Sequence, residues 1–313
     1  MLSSARIKAD GTAGLTGLFG SFPEQTVDFV NGESDWVEFT MSSAIPSQVA
    51  IHPAEYLTWA VMAVDGVRID QETITSTGPH KVYVLLDEPR SPWDNAANCS
   101  NNAWTNALEF ACSCANGATT ADEVATAITH AIYESGKFQY EVGSGEQRYS
   151  SGNTVYLSSC LDRLSGKWGR GPYVNCTDCA SFVVSFANLL GCALYSSKMY
   201  SPDFNVFYTN PYIAIGSQNW SPPSWGWFFG YHEVAWSGGC GDSDLVYDAC
   251  LRYNGASTPT NLPRVATLPV GVVFSDSSPD APYVYRERLT PATTNGYYRC
   301  CAFPNTKTRR SVR

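Results

Sequence analysis

The segment from Cys176 to Gly191, "CTDCASFVVSFANLLG", constrains this chain more than any other. Two cysteines three apart open it. It then runs apolar as a predicted helix to Leu190, with a break at Gly191. Such a helix needs a core, because each Phe, Val or Leu left in water forfeits about 1.5–3 kcal/mol. A chain of 313 residues is long enough to build one. Apolar residues make up 44% and charged residues only 16%, which excludes a disordered chain. The formal charge of −9 argues against holding nucleic acid or an anionic membrane through a global field. The basic run "KTRRSVR" at the end of the sequence reads as a solvated tail.

No stretch of eighteen uninterrupted apolar residues occurs, so no membrane span is expected. The first residues, "MLSSARIKADGTAGLTGLFG", carry no continuous apolar core of a secretory signal. A reduced, cytoplasmic chain is the expectation. A chain exported without a cleaved signal reads the same way. The eleven cysteines are an odd number, so at least one is unpaired if the rest are bridged.

Residues 1–92 read as a β-rich module. "TVDFV", "DWVEFTM", "TWAVMAV" and "HKVYVLLD" are short apolar or alternating runs, and "NGES", "VDGVR" and "STGPH" supply turns between them. A small antiparallel sandwich or sheet is expected. "DEPRSPWDN" marks a boundary, and 93–313 reads as a second, α+β domain with a core over about 100–255 and a Pro-rich C-terminal extension. There Trp104, Leu108 and Ala111 share helical spacing. In "TTADEVATAITHAIYESG", Thr120 and Glu123 form a capping-box signature ahead of Val124, Ile128 and Ile132. "GSGEQRYSSGN" reads as a polar, mobile loop. "PYIAIG" reads as a strand, and "YHEVAW" and "DLVYDACLRY" as two adjacent strands.

A cysteine nucleophile needs a lowered thiol pKa, a base within hydrogen-bond reach and a group that orients the base. Cys176 and Cys179 both stand near the start of the helix, whose positive end favours thiolate. Of the four histidines, His52 and His80 fall in the β module and His130 on an earlier helix. His232 opens the strand "HEVAW", and Asp248 follows sixteen residues later on the next strand. Adjacent antiparallel strands can set the two side by side.

Here the sequence resembles the transglutaminase-like superfamily of papain-like cysteine enzymes. Cys176 is followed by Asp178 at two, Ala180 at four and Gly191 at fifteen. "YIAIG", "HEVAW" and "VYDA" are similar to that family's later strands. The resemblance implies an α+β fold with a helix-borne nucleophile, Cys176, packed on an antiparallel sheet, with His232 as base and Asp248 as its orienter. It implies acyl transfer or hydrolysis on protein or peptide amides through a thioester, with no metal or organic cofactor. Asn175 stands where crosslinking members carry glutamine and is a candidate oxyanion donor. Trp168, Trp220 and Trp225 are candidates to line the substrate channel.

Other readings stay open. "DCASFV" resembles the motif of NlpC-type cell-wall peptidases, with Cys179 as nucleophile, although no Gly-Asp turn precedes His232. Cys176 and Cys179 have the spacing of a redox pair, or of half a zinc site completed by Cys112, Cys114 or His130. The β module is also a candidate binding module, with an inactive second domain.

Overall fold

The computed structural model describes residues 2–11, 18–95, 105–202, 205–220, 228–255, 266–275, 284–290 and 300–313. They form two units that divide after Val84. The first is one antiparallel sheet of β1 (Ser4–Gly11), β2 (Ser21–Asp28), β3 (Ala50–Val64) and β4 (Val67–Val84), in the order β2-β1-β3-β4. The expected "VDGVR" turn joins β3 to β4, with Asp65 and Gly66 both at positive φ (47° and 80°), the conformation that matches strand twist. "DWVEFTM" does not join the sheet. Phe39 packs edge-on against Trp59 at 5.1 Å, while Trp36 stands fully exposed. Its place is taken by β1, whose inward residues Ala5 and Ala9 are too small to mark a strand by hydrophobicity.

The second unit begins with α1 (Thr105–Cys114), α2 (Ala121–Tyr133), β5 (Gln139–Tyr140), β6 (Ser150–Ser151), β7 (Thr154–Val155), α3 (Leu157–Leu164), β8 (Tyr173–Val174) and α4 (Cys176–Leu189). The Thr120–Glu123 capping box closes in both directions at the start of α2. Trp104 lies outside the described residues. There follow β9 (Tyr195–Tyr200), β10 (Phe207–Tyr208), β11 (Tyr212–Ala214), β12 (Phe228–Phe229), β13 (His232–Trp236), β14 (Leu245–Tyr247), β15 (Leu251–Tyr253), β16 (Val270–Val273), α5 (Tyr285–Leu289), β17 (Cys301–Ala302) and β18 (Ser311–Val312). The main sheet runs β16-β14-β13-β9-β17, all antiparallel. This is an α+β arrangement. No helix among the described residues is long and apolar enough to cross a membrane.

Every residue of α4 is buried. Phe182 meets Phe138 and Tyr149 at 5.5 and 5.4 Å, and Phe186 meets Phe110 of α1 at 4.6 Å. Its C-terminal turn is tied to residues 86–93. Leu86 N–H donates to the Leu190 carbonyl, Arg90 N–H to Asn188, and the Trp93 indole to Ser185. This stretch therefore belongs with the second unit, ahead of the boundary expected at 92. Gly191, at φ +97°, ends the helix against Asp87. A Cβ there would stand 2.7–2.8 Å from Asp87 Cβ, N and O. Gly191→Ala is expected to cost about 2 kcal/mol or more, because left-handed strain adds to a clash with backbone that has no room to yield. A urea titration checks this, with a lower midpoint at unchanged slope.

Two expectations are corrected. "RYSSGN" is not a mobile loop but the hairpin β6–β7. Tyr149 before it is fully buried and donates to the Gly171 carbonyl at 2.5 Å, and Gly152 takes the turn at φ +55°. Nor is "KTRRSVR" a solvated tail. β18 pairs in parallel with β7, Thr308 pairs with Ser196 of β9, and the Arg310 side chain is 10% exposed. Charge suggested water, and a buried acid partner reversed it.

Candidate active site

The N-terminus of α4 is held by side chains rather than by water. Asn175 is the N-cap; its Oδ1 accepts the Asp178 N–H at 3.1 Å, and Asp178 accepts the Asn175 N–H in return. Asp178 also accepts the N–H groups of Arg148 and Tyr149 at 2.8 and 3.0 Å. Burial pushes this carboxyl up, against those bonds. It is thus more than a first-turn carboxylate, since it anchors the β6 hairpin to the helix. Cys176 is the first residue of α4. A helix leaves its first N–H groups without internal partners and carries partial positive charge at that end. Cys176 is 3% exposed.

His232 is the first residue of β13 and Asp248 the first beyond β14. Ala235 faces Tyr247 and Trp236 faces Val246, a register that sets Asp248 diagonally across from His232 on the same face. The carboxylate accepts His232 Nε2–H at 2.9 Å, the Tyr285 hydroxyl at 2.8 Å and the Cys250 N–H at 2.7 Å. These bonds assign the proton of a neutral ring to Nε2 and leave Nδ1 as its lone pair. Nδ1 is buried and has no hydrogen-bond partner. Burial works to lower the His232 pKa, but the Asp248 charge and hydrogen bond outweigh it, and Cys176 adds to the rise, which carries the ring to about 10. The Cys176 thiol therefore acts on this ring without the full alignment of a formed bond at Nδ1.

Around the thiol stand Tyr140, Tyr212 and Tyr231, each of whose hydroxyl pKa is pushed up by burial and by Cys176 among other neighbours. The Tyr212 hydroxyl is buried without a partner. Its ring and the His232 ring pack against Phe229 at 5.5 and 5.2 Å.

Cys179 is fully buried one turn further on. A hydrogen bond from Cys250 pulls its thiol down, but burial and the neighbouring carboxylates push it up further. Burial also raises Cys114 to about 11 and Cys112, Cys192 and Cys240 to about 12, and raises Cys160, Cys250 and Cys300 as well. Thiols so raised are poor nucleophiles at neutral pH.

Cys176, His232 and Asp248 thus come together. The remaining expected residues fare differently. The Asn175 amide is committed to the cap and to the Gly145 carbonyl, to which Nδ2 donates at 2.8 Å. Trp168 is 72% exposed and lies under the Arg163 guanidinium. Trp220 is half-buried in the segment after β11, and Trp225 lies outside the described residues. No group of three or more His, Cys, Asp or Glu side chains is placed to hold a metal ion among the described residues. Sequence reasoning missed Tyr285, which lies in a short helix far along the chain with no motif around it. It also missed β9, whose "YSSKMY" hides two buried serines in an otherwise polar run.

No protein-family model matches the chain, and no curated protein does. Among solved structures it is similar to the crystal structure of red sea bream transglutaminase, with 11% identity and a TM-score of 0.41 over 78% of this chain. The match spans 45% of that structure's chain.

Proposed function

We propose that this chain is a transglutaminase-like cysteine enzyme that cleaves or transfers the acyl group of protein or peptide amides. One observation carries the reading. A buried His232–Asp248 pair leaves Nδ1 unpartnered while the ring feels the thiol of Cys176 at a helix N-terminus. The Cys176 sulfur attacks the amide carbonyl carbon with its proton already held on His232 Nδ1, since the ring is charged at neutral pH. Asp248 stabilises this imidazolium at Nε2. The carbonyl electrons move to oxygen, where the Cys176 N–H at the positive end of α4 faces the developing charge. The Tyr212 hydroxyl, buried without a partner near this thiol, is a second candidate donor. The intermediate collapses by breaking the C–N bond, Nδ1 returns the proton to the leaving nitrogen, and a thioester remains. Water then gives the acid, or a primary amine gives a new amide. The same three residues serve both outcomes.

Alkylation by iodoacetamide at neutral pH, followed by peptide mapping, tests the reading. Cys176 is expected to be modified at least ten times faster than any other cysteine. Equal or slower labelling of Cys176 overturns the assignment, and faster labelling of Cys179 reassigns the nucleophile.

A further inference from the structure

The residues that follow the nucleophile and the base are themselves bonded. Thr177 Oγ1 donates to Glu233 Oε2 at 2.9 Å, so a hydroxyl on α4 and a carboxylate on β13 bridge the two elements one residue beyond Cys176 and His232. Glu233 points away from the His232 face, as strand alternation requires, and is 1% exposed. A carboxylate in that place needs a partner, since an unpaired buried charge is strongly unfavourable.

Arg310 is that partner. Its Nη1 lies 2.6 Å from Glu233 Oε1 and its Nη2 3.3 Å from Oε2. Nη1 also reaches Ser181 Oγ of α4 at 3.1 Å and Ser196 Oγ of β9 at 2.9 Å, while Nε donates to the Gly152 carbonyl in the β6–β7 turn at 3.2 Å. One guanidinium thereby joins the helix of the nucleophile, the strand of the base, the next strand and the hairpin. Its backbone is fixed on both sides. Ser196 and Thr308 exchange both N–H···O bonds at 3.0 and 2.9 Å, and Ser311–Val312 runs beside Thr154–Val155. Lysine could reach Glu233 but could not fork to the other acceptors.

We propose that residues 308–313 act as a clasp on the catalytic centre and that Arg310 is a positioning residue. By holding and neutralising Glu233, it keeps the Thr177 bridge that sets Cys176 against His232. The inference rests on the reading of Cys176 as nucleophile. It predicts that residues 308–313 are needed for reactivity at Cys176 and not only for folding.

The test compares the full chain with Arg310→Lys, Arg310→Met, Thr177→Val and the double variant Arg310→Met/Glu233→Gln. Each is checked for folding by near-ultraviolet circular dichroism, and Cys176 alkylation by iodoacetamide is followed from pH 5 to 10. Arg310→Met is expected to slow alkylation at pH 7 at least tenfold and to move its half-maximal pH upward. A thiol merely made more accessible changes the plateau and keeps the midpoint. Arg310→Lys falls between. The double variant, in which the uncharged amide introduced by Glu233→Gln can still accept from Thr177, regains most of the rate. The proposal is overturned if folded Arg310→Met keeps the parent profile, or if the double variant is no faster than Arg310→Met. Should Arg310→Met fail to fold, Thr177→Val decides, because it removes the bridge and leaves the ion pair; an unchanged profile there also overturns the proposal. If Cys176 is not the fastest thiol in the unaltered chain, the nucleophile reading fails. If it is, and the variants match it, only the clasp fails.

Discussion

An Asp248→Ala variant is expected to lose about 3–5 kcal/mol of stability, the usual cost of removing one member of a buried, hydrogen-bonded charge pair. Three donors lose their acceptor at once: His232 Nε2–H, the Tyr285 hydroxyl and the Cys250 N–H. None has water to turn to, since His232, Tyr285 and Cys250 are all fully buried. The pair also gives the folded chain a pH signature. The His232 pKa is raised from 6.5 to about 10, so its stabilising contribution is complete below about pH 6.5 and is lost as pH rises through 10. Urea midpoints taken between pH 6 and 8, below the range where the raised thiols also lose stability, should fall in the parent and stay flat in Asp248→Ala. A parent curve without this decline would mean that the ring is not held charged by Asp248. Asp248→Asn separates folding from chemistry. Its amide nitrogen faces Nε2 as a donor and draws the ring into the opposite tautomer, with Nδ1 protonated. Such a ring cannot take the thiol proton, so stability recovers in part while reactivity at Cys176 does not.

Under the proposed mechanism, Cys176→Ala is expected to lower acyl transfer by roughly 10⁴-fold or more, because the covalent step is assigned to its sulfur. The measurement is ammonia release from a glutamine-containing protein, together with incorporation of a fluorescent primary amine. Folding should be nearly unaffected, since a small apolar side chain replaces a small buried thiol at a helix start that Asn175 and Asp178 already cap. Cys179→Ala should show the opposite pattern, with a rate within a few-fold of the parent and a stability loss of about 1–2 kcal/mol from the cavity left behind. Cys250, which donates to Cys179, is left without that partner. Loss of activity in Cys179→Ala with Cys176→Ala still active would reverse the assignment.

The apolar helix, its break at Gly191, the Thr120 capping box and the strands around His232 and Asp248 were legible along the chain because each rests on local rules. These are side-chain periodicity, the chemistry of helix ends and the freedom of glycine at positive φ. The three proposed catalytic residues were legible for the same reason, as residue types suited to the chemistry at spacings that a helix and two strands impose. Only the tertiary structure decided what those residues lean on. Tyr285 reaches Asp248 from thirty-seven positions away, and Arg310 reaches Glu233 from seventy-seven. The serines of β9 and the charges of "KTRRSVR" looked exposed because their partners are remote in sequence. A polar side chain shows whether it is buried only when the group that satisfies it is known, and that pairing is made by the fold.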